Sequence, residues 1–237
     1  MSDWDICKIS GVVKILEPFD PSAGSFTEWL RDRTGDLWQQ ATEHPFTKTL
    51  ADDTLEDSVY RRYLIQDYVF IESLVTVLGY AVALAPDMAA KKRFSGFLAA
   101  ITSEENDYFL RSFDALGVDE EERNSTPMLP QIQAFADLML DAARSGAYEE
   151  VLAVIVPAEW VYLSWAKAAK HPYPKRFYLA EWIQLHDNPI FEEIVNWLRS
   201  ELDRVGPSVS IQQQGKVLER FSRLVELEVA FFDAAYG

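Results

Sequence analysis

Glu159 is an acid in apolar surroundings, and an acid of this kind can transfer protons. It is the only charged residue in the segment 151–166, VLAVIVPAEWVYLSWA. A helix that is apolar nearly all round is buried, so this carboxylate is expected inside the protein. Burial raises the pKa of a carboxyl group, which suits acid–base catalysis near neutral pH. Tyr162, three residues on, is expected on the same face. The alternatives are a glutamate bound to an Arg or Tyr for structure alone, and one that points outward.

A second acid, Asp67, is the only charged residue in LIQDYVFI, residues 64–71. Tyr63 precedes it by four positions and Phe70 follows it by three, so aromatic rings flank it on one helix face. This arrangement suits a flat ligand that carries N–H groups, because the carboxylate accepts those groups while a ring covers the ligand's face. The alternative is an aspartate that satisfies the end of a neighbouring helix.

A third acid, Glu228, stands near Val225 and two phenylalanines in the last helical segment. Its neighbours Glu226 and Asp233 show that this helix also has a wet face. A solvated carboxylate is therefore the alternative to a buried one at this position.

Other catalytic patterns are missing from the sequence. The three histidines are His44, His171 and His186; no two have a helical metal-binding spacing, and none follows a glutamate by three positions. Cys7 is the single cysteine, which excludes an intramolecular disulfide, and no glycine-rich phosphate loop occurs. We therefore expect no metal and no cofactor.

The charge balance excludes some classes of partner. Acidic residues outnumber basic ones by 38 to 22, and the formal net charge is −16. Such a field repels nucleic acid and anionic membrane surfaces. The N-terminus lacks a basic region followed by an apolar run, and the apolar segment 151–166 is shorter than a membrane span. The expected location is the cytoplasm, with a small molecule as the partner.

The elements that must position these acids are predicted to be helices. Periodicity, capping residues and breakers predict about eight of them, with a short helical turn after His44-Pro45 and another around WIQLH. The longer helices are predicted at 25–40, 54–84, 88–116, 131–145, 148–170, 189–204 and 208–236. The fold class is therefore all-α, a helical bundle formed by a single domain at 25–237. Residues 1–24 are a lead-in, in which Val12, Val13, Ile15 and Leu16 form a short strand or dock on the bundle.

Three segments carry a resemblance to a known family. HPFTKTLADDTLEDSVYRRYLIQDYVFI, residues 44–71, closely resembles the signature of the thiaminase II (TenA/THI-4) family. VIVPAEWVYLSWA and ELEVAFFDAAYG resemble two later family segments, in the correct order. The resemblance implies a haem-oxygenase-like fold without haem, an aminopyrimidine pocket, hydrolysis of a carbon–nitrogen bond in thiamin pyrimidine salvage, and assembly as a homodimer or homotetramer.

The resemblance also implies roles for individual residues. Asp67 matches the family aspartate that binds the pyrimidine's amino group and ring nitrogen, and Glu228 matches the catalytic glutamate. Tyr162 matches the tyrosine beside the family nucleophile, and His186 stands where many relatives carry a pocket tyrosine. The substrate-binding set is therefore Asp67, Phe70, Phe135, His186 and Tyr63; the catalytic set is Glu159, Glu228 and Tyr162.

One departure from the family pattern decides the expected mechanism. The family's cysteine position is occupied by Ala158, and Glu159 stands beside it. This is similar to the cysteine-free, glutamate-type branch, which is associated with aminomethyl- or formylaminomethyl-pyrimidine. Glu159 and Glu228 are then expected to share water activation and protonation of the departing nitrogen, with Tyr162 orienting one of them. The alternatives are a non-catalytic pyrimidine-binding or regulatory protein and an oxidase on the same fold.

Overall fold

The computed structural model describes the backbone of residues 6–9 and 12–15 and, apart from the side chain of Glu104, all of residues 18–237. Its first elements are two short antiparallel strands, β1 (Ile6–Ile9) and β2 (Val12–Ile15), in which Ile6 lies opposite Ile15. The strand interpretation of the lead-in is thus confirmed for Val12–Ile15, while Leu16 lies outside the described residues.

The rest of the described chain is helical, and the predicted all-α class is confirmed. Twelve α-helices follow the strands, with a π-helical turn at Ile101–Glu105 and a 3₁₀ turn at Gly206–Ser208. They are α1 (Phe26–Arg33), α2 (Asp36–Thr42), α3 (Pro45–Ala51), α4 (Asp57–Leu84), α5 (Met88–Ala100), α6 (Asn106–Leu116), α7 (Glu120–Ser125), α8 (Pro130–Arg144), α9 (Tyr148–Ala168), α10 (Phe177–His186), α11 (Pro189–Val205) and α12 (Ile211–Ala234).

The number of helices exceeds the predicted eight because two predicted helices are interrupted. Gly35, at a φ of 60°, ends the first helical segment after α1 and lets α2 begin in a new direction. The π-helical turn divides the predicted helix 88–116 into α5 and α6. In addition, α7 forms between the predicted helices 88–116 and 131–145, where no helix was predicted.

Local capping explains where several helices begin and end. Ser25 accepts the backbone N–H three residues on at 3.3 Å, as its capping pattern predicted. Gly117 closes α6 in the left-handed conformation, at a φ of 66°. The predicted cap of the last helix was wrong: Ser208 lies in the 3₁₀ turn, and Ser210 caps α12 instead. The serine oxygen nearer to the first free N–H groups takes this role.

Helix α9 is the centre of the bundle, packed against α8, α11 and α12, while α4 packs against α5 and α8. Every residue of α9 from 150 to 161 is buried. Among the described residues, α4 and α9 contain windows long and apolar enough to cross a membrane by length and composition alone. Most of the α9 window is buried by the other helices, as in the core helix of a bundle.

Close packing at the start of the 3₁₀ turn gives a stability prediction. A β-carbon at Gly206 would overlap the ring of Phe26, which is fully buried. We expect Gly206→Ala to lower the free energy of unfolding by about 1–3 kcal/mol, because the ring has no space to move. Gly79→Ala in α4 is the control: its new β-carbon meets nothing within 4 Å, and alanine favours helices by about 1 kcal/mol. Thermal melting compares the two, and a Gly206→Ala melting temperature at or above that of the wild type would contradict the packing argument.

Candidate active site

A cavity of about 160 Å³ opens among α4, α5, α8 to α12 and the π-helical turn. Its wall is mostly apolar and aromatic, but it includes four carboxylates. Of the predicted site residues, all except Tyr63 line it: Asp67, Phe70, Phe135, Glu159, Tyr162, His186 and Glu228. Residues from helices far apart in sequence therefore meet at one place, as the family resemblance implied.

Asp67 projects from α4 and is only 5% exposed. Its Oδ2 atom is buried and has no hydrogen-bond partner among the described residues. Burial raises the pKa of Asp67 to about 7, an effect that a hydrogen bond from the Tyr63 hydroxyl partly opposes. The alternative, in which this aspartate satisfies a helix end, does not account for an unpaired oxygen. A buried acceptor without a donor costs about 1–3 kcal/mol, which an N–H group of a ligand would recover.

Two glutamates of α9 show what distinguishes a structural acid from a reactive one. Glu150 is buried, but its carboxylate accepts hydrogen bonds at 2.7 Å from both Arg220 and Gln213. Glu159 is also buried and faces the cavity, with no hydrogen bond or ion pair to the described residues. Burial, followed by the charge of Asp67, raises the pKa of Glu159 to about 8. Both structural alternatives for Glu159, the paired and the outward-pointing side chain, are therefore wrong.

Glu228 is the most deeply buried of the cavity acids, at 1% exposure, while Glu226 and Asp233 on the same helix face outward. The solvated alternative for Glu228 is thus wrong. Burial raises its pKa well above the usual range, and the charges of Glu159 and Asp67 raise it further. Because the charge of Glu159 is among these causes, the two glutamates are coupled, and ionisation of one opposes ionisation of the other.

Tyr162 lines the cavity one turn from Glu159, and its hydroxyl lies 2.7 Å from that of Tyr63. Tyr63 is not among the lining residues; it is buried behind the wall, where the ring of Phe46 packs against it at a tilt, with 4.6 Å between the ring centroids. Tyr63 therefore holds Tyr162 and approaches Asp67 rather than lining the space available to a ligand.

Three phenylalanines form one end of the cavity. Phe70 and Phe135 meet edge to face at 4.8 Å, and Phe231 lies 5.9 Å from each of them. Edge-to-face packing fixes ring orientation, so a flat ligand finds a preformed apolar slot beside Asp67. Phe231 was not predicted as a site residue.

His186 is held as a neutral ring. Its Nδ1 atom lies 2.8 Å from the carbonyl oxygen of Trp182, and both side chains line the cavity. Burial lowers the pKa of His186 to about 4. The neutral imidazole then donates from Nδ1 to that carbonyl and leaves Nε2 as an acceptor.

Glu105 is the cavity acid that the sequence analysis missed. It belongs to the π-helical turn between α5 and α6, and burial together with the charges of Asp67 and Glu159 raises its pKa well above the usual range. In the sequence it lies in the hydrophilic run SEEND, which is typical of a solvated surface. The available signal was its spacing, four residues after Ile101 and four before Phe109, both of which are buried.

A protein-family model covers most of this chain. Residues 31–237 match the model of the TENA/THI-4/PQQC family. The chain belongs to this family. Within the described residues of this TENA/THI-4/PQQC protein, no group of three or more His, Cys, Asp or Glu side chains is placed to hold a metal ion.

Two curated relatives of this TENA/THI-4/PQQC protein are named aminopyrimidine aminohydrolase. The protein of Halalkalibacterium halodurans is 26% identical over 220 residues, which cover 90% of this chain and 96% of the relative. The protein of Helicobacter pylori is 28% identical over 220 residues, which cover 89% of this chain and 98% of the relative.

Solved structures show the fold. The TenA homologue from P. horikoshii OT3 superposes with a TM-score of 0.80 at 22% identity, covering 90% of this chain and 99% of that one. A domain from Shewanella denitrificans, described as having a heme oxygenase-like fold, gives a TM-score of 0.65 at 16% identity, covering 89% of this chain and 91% of that one. The predicted haem-oxygenase-like fold is confirmed.

Proposed function

We propose that this protein hydrolyses an exocyclic carbon–nitrogen bond of an aminomethyl- or formylaminomethyl-pyrimidine, in thiamin pyrimidine salvage. The observation that carries the proposal is the unpaired Oδ2 of Asp67 beside an aromatic slot and two buried glutamates, whose pKa values burial raises. The curated names of the relatives from Halalkalibacterium halodurans and Helicobacter pylori support the same substrate class.

Asp67 and the phenylalanines bind the pyrimidine in this proposal. The carboxylate of Asp67 accepts the amino group of the ring, and Phe70 and Phe135 cover the ring's apolar surface. Tyr63, which lies behind Tyr162, keeps the wall in place. This arrangement points the methylene carbon that bears the departing nitrogen toward α9 and α12, which carry the two glutamates.

The chemistry is a displacement by water. The oxygen of water forms a bond to the methylene carbon while the bond from that carbon to nitrogen breaks. Glu159 accepts the proton of the water, because it stands beside Ala158, the position at which the family resemblance puts the nucleophile. Glu228 keeps its proton and supplies it to a nitrogen that arrives without one. Tyr162, beside Glu159, orients the water or the carboxylate.

Ala158 supports assignment to the cysteine-free, glutamate-type branch. It lines the cavity where the family resemblance puts the nucleophilic cysteine, and its methyl group cannot attack carbon. A hydrolase without that thiolate must activate water directly, and Glu159 is the adjacent group able to do so. Intact thiamin, whose cleavage in this family is attributed to the cysteine, is therefore the disfavoured substrate.

A product assay tests the function. The purified full-length protein is incubated separately with thiamin, aminomethyl-pyrimidine and formylaminomethyl-pyrimidine, and hydroxymethyl-pyrimidine, ammonia, formamide and formate are measured. Displacement at the methylene carbon releases ammonia from the amine and formamide from the formylated compound, whereas formate would report attack on the formyl group. We expect hydroxymethyl-pyrimidine from one or both of the pyrimidines and none from thiamin. Binding of a pyrimidine without any product would favour the non-catalytic alternative and overturn the hydrolase. Homo-oligomeric assembly and a cytoplasmic location remain predictions; light scattering after gel filtration measures the first.

A further inference from the structure

The cavity carries an imbalance of charge that the proposed reaction does not explain. Four acids line it: Asp67, Glu105, Glu159 and Glu228. Among the described residues of its wall there is no lysine and no arginine, and burial keeps His186 neutral. Water activation and proton donation need two carboxyls, and pyrimidine recognition needs one. Glu105 remains without a function.

These acids are also without protein partners. Neither Glu105, Glu159 nor Glu228 makes a side-chain hydrogen bond or ion pair in the part of the chain that the structure describes, and Asp67 has an unpaired buried oxygen. Natural proteins normally pair a buried acid, as Arg220 does for Glu150 here. An acid cluster that the protein leaves unpaired, around a cavity, requires donors from the ligand.

We propose that Glu105 determines substrate specificity: its carboxylate binds the ammonium group of a primary amine, so that the enzyme selects the aminomethyl-pyrimidine over its neutral formylated form. The inference rests on the proposed function, since it identifies which of the two candidate pyrimidines the same site takes. Glu105 contacts the substrate and takes no part in activating water.

Glu105 enters the cavity from a different wall than the other two glutamates. It lies on the π-helical turn between α5 and α6, whereas Glu159 lies on α9 and Glu228 on α12. Glu105 is half-buried, while Glu159 and Glu228 are buried. With Asp67 on the pyrimidine edge and Glu159 on the attacking water, Glu105 is left for a group that neither of them reaches.

The backbone at Glu105 supports a functional role. A π-helical turn is rare and costs helix regularity, and such turns occur frequently at functional sites. Here the turn Ile101–Glu105 lies within a helix that the sequence predicted to be continuous, and both its first and its last residue line the cavity.

Charge explains the selection. Entry of an ammonium group into an apolar cavity is costly unless an anion meets it. Burial favours the protonated form of Glu105, but a bound cation favours the carboxylate, so the ammonium group itself stabilises the ionised Glu105 that it binds. Formylation removes the charge from the nitrogen, so the neutral substrate offers Glu105 only an uncharged N–H donor and does not stabilise its ionised form. Discrimination between two substrates is the difference between these two interactions.

Steady-state kinetics of the full-length wild type and of Glu105→Gln test the proposal with both pyrimidines. We expect kcat/KM for the aminomethyl compound to fall by about 10- to 100-fold, the loss of one charge-assisted hydrogen bond. We expect kcat/KM for the formylated compound to stay within about threefold. Glu72→Gln, at an exposed position of α4, is the matched control and should behave as the wild type. An equal loss for both compounds, or no loss for the amine, would overturn the role of Glu105.

Calorimetry separates this inference from the hydrolase itself. The dissociation constants of aminomethyl-pyrimidine and of neutral hydroxymethyl-pyrimidine are measured for the wild type and for Glu105→Gln. Loss of amine affinity alone, by about 10- to 100-fold, supports the ammonium contact even if no compound is turned over. Equal affinity of the variant and the wild type for the amine, or no binding of the amine to the wild type, overturns it. A melting curve of Glu105→Gln verifies that the variant is folded.

Discussion

Glu159→Gln is expected to lower kcat by about 10²- to 10⁴-fold with an intact fold, because the amide cannot accept a proton from water. The amide has the size of the carboxyl group and can still hydrogen-bond to the substrate. Binding of the pyrimidine should therefore change little, and KM should stay within a few-fold of the wild type. Product formation under saturating aminomethyl-pyrimidine measures the loss of kcat.

The same substitution should stabilise the protein at alkaline pH. The folded protein holds the proton of Glu159 up to a pKa of about 8, compared with an ordinary value of 4.5. Between these two values the folded state binds more protons than the unfolded chain, so the free energy of unfolding decreases as pH rises. Glutamine does not ionise, so the variant avoids this decrease in the free energy of unfolding. The decrease is at most about 5 kcal/mol above pH 8. The variant should match the wild type near pH 4.5 and melt at a higher temperature near pH 9.

Glu226→Gln provides the control for both measurements. Glu226 lies on the exposed face of α12, where Arg223 pairs with it, and a surface ion pair contributes about 0–1 kcal/mol. Activity and alkaline stability should both follow the wild type. A Glu159→Gln enzyme that keeps wild-type kcat would exclude Glu159 as the base, and one that gains no alkaline stability would contradict the burial of an unpaired acid.

Much of the fold is encoded in patterns that act over one or two helical turns. The helices α8, α9 and α11 begin and end within two residues of the predicted positions, since apolar periodicity and breakers act locally. The π-helical turn could not be predicted in this way. Its extra residue is tolerated because the packing of both flanking helices around the cavity compensates for it, and that packing involves residues far apart in sequence.

The site residues also differ in whether the local sequence is enough to predict them. Asp67 and Glu159 were identifiable because each is the single charge in an apolar segment, a property of the local sequence. Glu105 escaped because its neighbours are polar, and only its four-residue spacing to Ile101 and Phe109 shows the face on which it lies. The rise in the pKa of Glu228 depends partly on the charges of Glu159 and Asp67, which lie on two other helices. No single segment contains that information.

Asp67→Asn is expected to weaken binding of aminomethyl-pyrimidine by about 10²- to 10³-fold, a larger loss of affinity than any other single change in the cavity. The carboxylate accepts the amino group of the pyrimidine at an oxygen that has no partner among the described residues. The amide nitrogen of asparagine would face the amino group of the pyrimidine, and both groups are hydrogen-bond donors. One hydrogen bond is therefore lost, and one buried N–H is left unpaired. Calorimetry with aminomethyl-pyrimidine measures the loss directly.

The matched control is Asp114→Asn on the exposed face of α6, which should bind as the wild type does. Asp67→Asn should also melt at a higher temperature above about pH 7, because it removes a buried acid whose pKa burial raises to about 7. A variant that loses affinity for the pyrimidine but gains stability has lost a ligand contact, and its fold is intact.

The comparison with Glu159→Gln separates binding from catalysis. That variant should bind the pyrimidine and fail to convert it, whereas Asp67→Asn should fail to bind it. If Asp67→Asn binds aminomethyl-pyrimidine as tightly as the wild type, the pyrimidine edge does not lie at Asp67, and the assignment of the attacking side to α9 fails with it.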